Sequence, residues 1–437
     1  MDWKVRYGKY LMSPEDAAGL VKSGDRIWLG MFTSCPNTFS NALLARKDEV
    51  RAVEVHHYVS PFVWSRPDTQ EAFHLVTCFT TPADRAQIAA GMGDYLPIGN
   101  FRQSWIQAAI GPFDVVCIKT SPPDENGYLS MGTALWANRT ALDVGKTIIC
   151  EVDDRLIRTF GENYIHMSEV TALVEHNAGH DQEMPVPPRT DEVILATEVV
   201  GTLIATELIH DRDTLQIGFG DVTAALGVYL GDCHDLGIQT EIIPGGIVDL
   251  VDQGVVTGRY KDVAPGKVVG SAFGVIPDEE ARRVHMNPKF ELWDFCHTDD
   301  LRMLVRETNF VAINNALQVD LTGQVTAETL NGRIYSGPGG QTTFAVAASY
   351  SEGGRSVIAL PSVSTVNGVP HSRIVPTLSA GTVITVPRSF VDYVVTEHGI
   401  AHVGGKSVRQ RCEELISVAH PDFRAELRRE AEKLYCL

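Results

Sequence analysis

The sequence predicts an α/β protein built from two open, mainly parallel-sheet domains, and three observations carry that prediction. Apolar runs of strand length alternate with helix-period segments almost from end to end of the 437 residues, the pattern of parallel sheets covered on both faces. The length exceeds the roughly 250–300 residues at which a single core stops growing. A polar, aperiodic stretch with three prolines, NAGHDQEMPVPPRTDEV over 177–193, breaks the rhythm as a linker or domain crossing would. The reading is therefore one domain over 1–185 and a second over 186–437.

In the first domain strands are expected at Arg26–Leu29, Ala52–Tyr58, Phe73–Cys78, Val115–Lys119 and Thr147–Val152, each an apolar run of strand length. Helical patterns lie between them, for example over Pro82–Ala90 and Ala134–Val144. In the second domain a helix is expected over Glu192–His210, a strand at Leu215–Gly218 and a helix from Val222 to Leu230. A strand at Ile238–Ile243 and a helix at Ile247–Gln253 follow, with later strands at Phe310–Asn314, Ser356–Ala359, Val383–Thr385 and Tyr393–Val395. GDRIWLGMFTSCPNTFSNALL (24–44) and DTLQIGFGDVTAALGVYL (213–230) both run strand, small-residue loop, helix, an echo that a duplicated α/β unit would produce.

Composition narrows the function classes. Hydrophobic residues make up 44% and charged residues 21%, an ordinary globular balance. A net charge of −18 lacks the basic footprint of non-specific nucleic-acid binding, although a few local Arg and Lys would suffice for an anionic ligand. No apolar run approaches the ~18 residues of a membrane helix, and MDWKVRYGKYLMSPEDAA has no apolar core of a secretory leader, so a cytoplasmic protein with no membrane partner is expected. The eight cysteines are scattered without CxxC, as reduced thiols rather than a disulfide framework or zinc site.

In open parallel sheets ligands bind beyond the carboxyl ends of strands, and three stretches there stand out. GFGDVT (218–223) joins a strand to a helix, with Gly218, Gly220 and the Val222 amide at a helix start; it is either an anion cradle or an ordinary tight turn. YSGPGGQTTF (335–344) places Gly337, Gly339 and Gly340 before a helical pattern over Thr343–Ser349, as a ligand-facing loop or an irregular turn. TEIIPGGIVDLV (240–251) sets Glu241 at the end of a strand one βαβ unit after GFGDVT. Glu241 is either a nucleophile beside backbone donors or a solvated strand-end and capping residue. A carboxylate beside N–H donors suits attack on a thioester carbonyl, the amides stabilising the oxyanion. No GxSxG competes, and His398 and His402 in TEHGIAH lack the HExxH context of a metal site.

With these residues in place the chain resembles the acetyl-CoA hydrolase/transferase family. The resemblance is carried by SPPDENGYLSMG (121–132), LQIGFGDVTAAL (215–226), LGIQTEIIPGGIVDLV (236–251), INNALQVDLTGQV (313–325), YSGPGGQTTF (335–344), SRIVPTL (372–378), VDYVVTEHGIAHVGGKS (391–407) and ISVAHPDFRAEL (416–427), in order over about residues 10–430. Within the family it is similar to 4-hydroxybutyrate and butyryl-CoA transferases. The resemblance implies two α/β domains of the CoA-transferase type, assembled as a homodimer or dimer of dimers. It implies acyl-CoA and small carboxylates as substrates, coenzyme A as a substrate rather than a bound cofactor, and no metal. The family's catalytic Glu falls on Glu241, which would carry a glutamyl-CoA thioester through a ping-pong cycle. The oxyanion donors would be amides near Val222 and at Gly339 or Gly340.

Other roles are expected by position relative to these motifs. Arg355, Arg333, Lys267 and Arg373 are candidates for the CoA phosphates or else surface charges. Thr33, Ser34 and Asn126, in loops after strands, would hydrogen-bond a carboxylate in the acyl pocket or serve as turn and cap residues. Three positions depart from the family pattern. Asp221 stands in the glycine loop, Thr326 replaces an Asn that would hold the Glu, and Cys35 lies in the expected acyl pocket. Acyl-CoA hydrolysis is the near alternative. An NAD-dependent enzyme is a more distant one: GFGDVT has no third Gly in register, yet Glu241 lies 21 residues after Gly220, where a ribose-binding acid would sit. A ligand sensor on a related scaffold is the third; turnover would exclude it.

Overall fold

The computed structural model describes residues 3–99, 110–182, 189–220, 222, 226–366 and 368–435. The chain divides into two compact units, one holding Met1–Val186, Ser271–Phe273 and Pro277–Thr298, the other Pro187–Gly270, Gly274–Ile276 and Asp299–Leu437. Ser271–Phe273 and Pro277–Thr298 thus leave the span read from sequence as the second domain. Main-chain bonds explain it: Leu135 and Trp136 N–H donate to Ser271 O at 3.0 and 3.1 Å, Phe273 N–H to Thr133 O at 2.8 Å and Glu162 N–H to Leu292 O at 2.9 Å. Such pairings are invisible to periodicity.

The first unit is built on an eight-stranded sheet. Its strands are β1 (Leu11–Met12), β2 (Arg26–Leu29), β3 (Val53–His57), β4 (Phe73–Thr77), β5 (Gly93–Tyr95), β6 (Phe113–Thr120), β7 (Gly145–Val152) and β8 (Ala172–Glu175). The order is β1-β8-β7-β6-β2-β3-β4-β5 and every pairing is parallel. β6 is buried along nearly its whole length, as a sheet covered on both faces requires. Helix α1 (Asn37–Ala45) presents Phe39 and Leu43 to a core with Ile27, Leu29, Val55, Trp64 and Phe73. Glu151, at the end of β7, accepts from the Thr38 and Phe39 amides at 3.1 and 2.8 Å, supplying the start of α1 with a carboxylate cap. Helix α2 (Pro82–Ala89) begins with a Thr81/Asp84 capping box and proline in its first turn. The segment expected to be helical over Ala134–Val144 shortens to α3 (Asn138–Asp143).

The second unit opens with α4 (Asp191–Glu207), capped by Thr190. Its main sheet contains β9 (Thr214–Ile217), β10 (Gly237–Gln239), β11 (Val268–Gly270), β12 (Phe310–Asn315), β13 (Arg355–Ala359), β14 (Tyr393–Thr396) and β15 (Gly399–His402). These run in the order β15-β14-β13-β12-β9-β10-β11, parallel except for the β14–β15 hairpin. Helices α5 (Ile247–Asp252) and α6 (Gln341–Tyr350) lie within this part of the chain, and α7 (Val408–Val418) and α8 (Pro421–Tyr435) close it. The strand expected over Ile238–Ile243 breaks after Gln239 and resumes only at Ile242–Ile243. Val383–Thr385 forms no strand; only Val386 makes a bridge, to Val325.

Both units share one strand order. In each, a first strand (β2 or β9) is followed by neighbours to one side, and the chain then returns to its other side with β6 or β12. The register agrees too. Leu29 pairs with Cys117 and Gly30 N–H donates to Cys117 O at 2.9 Å; Ile217 pairs with Ile313 and Gly218 N–H donates to Ile313 O at 2.8 Å. The echo between 24–44 and 213–230 is therefore a repeat of topology as well as of sequence.

Candidate active site

In the second unit the chain reverses its direction across the sheet between β9 and β12, so a crevice opens beyond their carboxyl ends. The loops carrying the glycines and Glu241 converge there. Gly218 and Gly220 follow β9, Glu241 lies two residues beyond β10, and Gly337, Gly339 and Gly340 precede α6.

A closed circuit of hydrogen bonds holds these loops. Gly340 is the N-cap of α6, and its amide donates to Glu241 Oε2 at 3.0 Å. The carboxylate thus sits at the positive end of a ten-residue helix. The adjoining Gln341 donates from Nε2 to Asn315 O at 3.1 Å, and Asn315 Nδ2 donates to Phe219 O at 3.1 Å. Thr240 Oγ1 accepts from Ile217 N–H at 3.1 Å and lies 3.0 Å from Ile217 O, stapling the residue before Glu241 to the end of β9. Below the loops, Gln216 and Asn314 exchange two amide hydrogen bonds of 3.1 and 2.9 Å in the buried sheet. Thr240, Gln341 and the Asn314–Asn315 pair escaped sequence reasoning, although each is adjacent to or inside a motif that it singled out.

Two glycines are required by the space around them. Gly220 has φ +150°, and a Cβ there would lie 2.4 Å from Asn315 Nδ2. At Gly340 a Cβ would meet Phe344 Cε2 at 2.4 Å and Asp299 Oδ2 at 2.7 Å.

Burial pushes the Glu241 carboxyl up to about 7, against the Gly340 hydrogen bond that favours the ionised form. By exposed area Glu241 is half-buried, and the protein atoms packed around the carboxyl raise its pKa. A carboxylate poised near neutrality and gripped by one backbone donor has the character of a nucleophile.

The other expected residues are placed as follows. Val222 is buried, while Asp221 lies outside the described residues. Thr326 is buried and its hydroxyl donates to Thr329 O at 3.3 Å, a local backbone bond in place of an amide reaching for Glu241. In the first unit Thr33 Oγ1 lies 2.8 Å from Thr133 Oγ1. Ser34 is fully buried, donates to Met31 O at 2.8 Å and accepts from Asn138 Nδ2 at 3.1 Å, so its hydroxyl serves the fold. Asn126 is exposed in a turn organised by Asp124, whose Oδ1 accepts its amide at 2.9 Å. Burial holds the Cys35 thiol far above its usual range, beside His57 Nε2 at 3.5 Å, which makes it an inert core thiol.

Two of the four cations proposed for CoA phosphates sit at the wrong edge of the sheet. Arg355 is the first residue of β13 and ion-pairs with buried Asp213, just ahead of β9. Lys267 immediately precedes β11. Both mark amino ends of parallel strands, separated from the carboxyl ends by about 13 Å along β13 and about 10 Å along β11. Arg333 is exposed, just ahead of the glycine loop in the chain, and Arg373 is half-buried, in the chain that follows β13. Arg355→Ala is expected to strand the Asp213 carboxylate and lower unfolding stability by about 2–4 kcal/mol, read by urea denaturation, with CoA affinity unchanged.

The acetyl-CoA hydrolase/transferase N-terminal domain matches residues 1–187 and its C-terminal domain residues 280–431. The 4-hydroxybutyrate coenzyme A transferase of Clostridium kluyveri is 33% identical over 438 residues, covering 100% of both chains. The chain belongs to the acetyl-CoA hydrolase/transferase family. Butyryl-CoA:acetate CoA-transferase of Anaerostipes caccae is 32% identical, covering 99% of this chain and 98% of that one. Among solved structures, RipA from Yersinia pestis superposes with a TM-score of 0.89 at 31% identity over 100% of each chain. The α/β fold with mainly parallel sheets is thus that of the acetyl-CoA hydrolase/transferase family, and its relatives include CoA-transferases. No described helix is long and apolar enough to cross a membrane, and no disulfide joins the described cysteines.

Proposed function

We propose that this enzyme moves CoA from a short-chain acyl-CoA, such as acetyl- or butyryl-CoA, to a small carboxylate such as 4-hydroxybutyrate or acetate, with Glu241 as the covalent carrier. The observation that carries the reading is the Gly340 N–H at 3.0 Å from Glu241 Oε2 at the start of α6. A Glu241 oxygen attacks the thioester carbon, the C–S bond breaks, and CoA leaves as thiolate from an acyl-glutamyl anhydride. The thiolate then attacks the glutamyl carbonyl and the donor leaves as its carboxylate, so that a glutamyl-CoA thioester remains. An acceptor carboxylate runs the two steps in reverse. No proton is gained or lost overall and no electrons are exchanged, so the cycle calls for no cofactor besides CoA itself. The Gly340 amide, already on the glutamyl oxygen, is placed to stabilise the oxyanion formed when thiolate adds to that carbonyl. Conserving the acyl energy in a thioester favours transfer over hydrolysis. We further propose a cytoplasmic homodimer or dimer of dimers, which light scattering on the purified protein tests.

The test is intact-protein mass spectrometry after incubation with butyryl-CoA and no acceptor. A CoA-sized gain on the intact protein is expected, and borohydride, which reduces the thioester to an alcohol and releases CoA, is expected to leave its mark on Glu241 in the peptide map. Steady release of free CoA from an unmodified Glu241 would sink the covalent reading and favour hydrolysis by another route. Because Glu241 must be ionised to attack and its pKa is pushed up to about 7, adduct formation is expected to rise with pH through that region and level off above it. Rapid-quench rates between pH 5.5 and 8.5 check this; a flat profile speaks against Glu241 ionisation as the controlling step.

A further inference from the structure

We propose that Phe219 is a specificity-determining residue, its ring forming the apolar wall against which the aliphatic chain of a thioester substrate packs beside Glu241. The identity of the ligand rests on the transferase reading above. Phe219 is 63% exposed, whereas Phe39, Phe73, Phe113, Phe310 and Phe344 are at most 1% exposed. A single exposed ring is ordinary on a surface, but this one stands at the carboxyl end of a strand, on the loop at the switch point where ligands of open parallel sheets bind.

Hydrogen bonds on both sides of Phe219 fix the backbone that carries the ring. Its carbonyl accepts from Asn315 Nδ2 at 3.1 Å, and that amide fills the space that a Cβ on Gly220 would need. On the other side Gly218 N–H is fixed to Ile313 O at 2.8 Å. Asn315 also receives Gln341 Nε2 at its own carbonyl, next to the Gly340 amide that holds Glu241. The ring is therefore carried on the same bonded circuit that positions the carboxylate. Near its reacting carbon an acyl-CoA is aliphatic on both sides, the acyl chain on one and the pantetheine arm on the other. An apolar face there gives affinity and keeps water from the anhydride and thioester intermediates.

Equilibrium binding of CoA, acetyl-CoA and butyryl-CoA to Glu241→Gln protein, which lacks the nucleophile, tests the proposal. Adding Phe219→Ala is expected to weaken acyl-CoA binding about tenfold, and Phe219→Leu to weaken it less. A loss that grows from acetyl- to butyryl-CoA assigns the ring to the acyl chain; an equal loss for CoA and both esters places it on the shared pantetheine arm and overturns the specificity role. Unchanged affinities for all three overturn the proposal and leave the transferase reading standing. If protein with Phe219 intact binds none of the three, both fall.

Discussion

Glu241→Gln is expected to lower CoA transfer by about 10⁴- to 10⁶-fold, the usual consequence of removing a covalent nucleophile. The amide is nearly isosteric and still accepts the Gly340 N–H at the position where Oε2 accepts it at 3.0 Å, so the loops stay as they are. What is lost is the anionic oxygen that attacks and the bond that stores CoA. Stability separates this from unfolding. The folded carboxyl has its pKa raised above the unfolded value, toward about 7. The unfolded chain therefore releases this proton at lower pH, and the native protein loses stability as pH rises from the unfolded pKa to the folded one. Removing the group removes that loss, so Glu241→Gln should melt no lower than the parent at pH 8. A dead, fully stable variant without the CoA adduct is the expected result; a variant that retains even a tenth of the activity would move the nucleophile elsewhere.

Gly340→Ala is expected to cost about 10²- to 10³-fold in kcat, the range seen when one oxyanion donor is displaced. A backbone amide cannot be deleted by mutation, but this one can be pushed aside. The backbone at Gly340, φ −81° and ψ 0°, lies in the bridge region, which is sparsely populated but open to alanine, so the clash and not the torsion decides the outcome. It would, however, lie 2.4 Å from the ring of the fully buried Phe344 and 2.7 Å from Asp299 Oδ2. Neither neighbour has room to retreat, so the first turn of α6 must shift and carry its N–H away from Glu241. Overpacking of this kind also costs about 1–3 kcal/mol of stability. Single-turnover adduct formation at saturating acyl-CoA, beside a urea titration, reads both effects. Full activity with a normal unfolding curve would mean that the helix start tolerates the methyl and that its amide is not the decisive donor.

Much of the fold was legible because its signals are local. Arg26–Leu29 was placed to the residue and eight other strands of the two sheets within two, since each is a short apolar run in a parallel sheet buried on both faces. Leu11–Met12, Gly93–Tyr95, Ala172–Glu175, Val268–Gly270 and Gly399–His402, by contrast, went unread. Glu241 and the glycine loops were legible because special backbone needs leave special residues behind. Where reading failed, the cause was non-local. Ile238–Ile243 reads as one apolar run, but the Thr240 hydroxyl bonds to Ile217 and Glu241 turns to the start of α6, which breaks the strand. Ser34 and Thr326 look like free donors in sequence, yet each spends its hydroxyl on a nearby carbonyl. Arg355 and Lys267 flank matched motifs, but a parallel strand carries its two ends to opposite edges of the sheet, and theirs is the edge away from the glycine loops.

By itself the sequence determined the class of the fold, the alternation that makes its sheets parallel, the carboxylate and the glycines beside it, because residue type and spacing act over a few positions. Tertiary structure alone decided which donors reach the carboxylate, which hydroxyls and cations are already engaged, and where 277–298 packs. Those outcomes depend on hydrogen bonds such as Gly340 to Glu241, made between residues 99 positions apart, whose partners are chosen only when the strands that carry them are laid side by side.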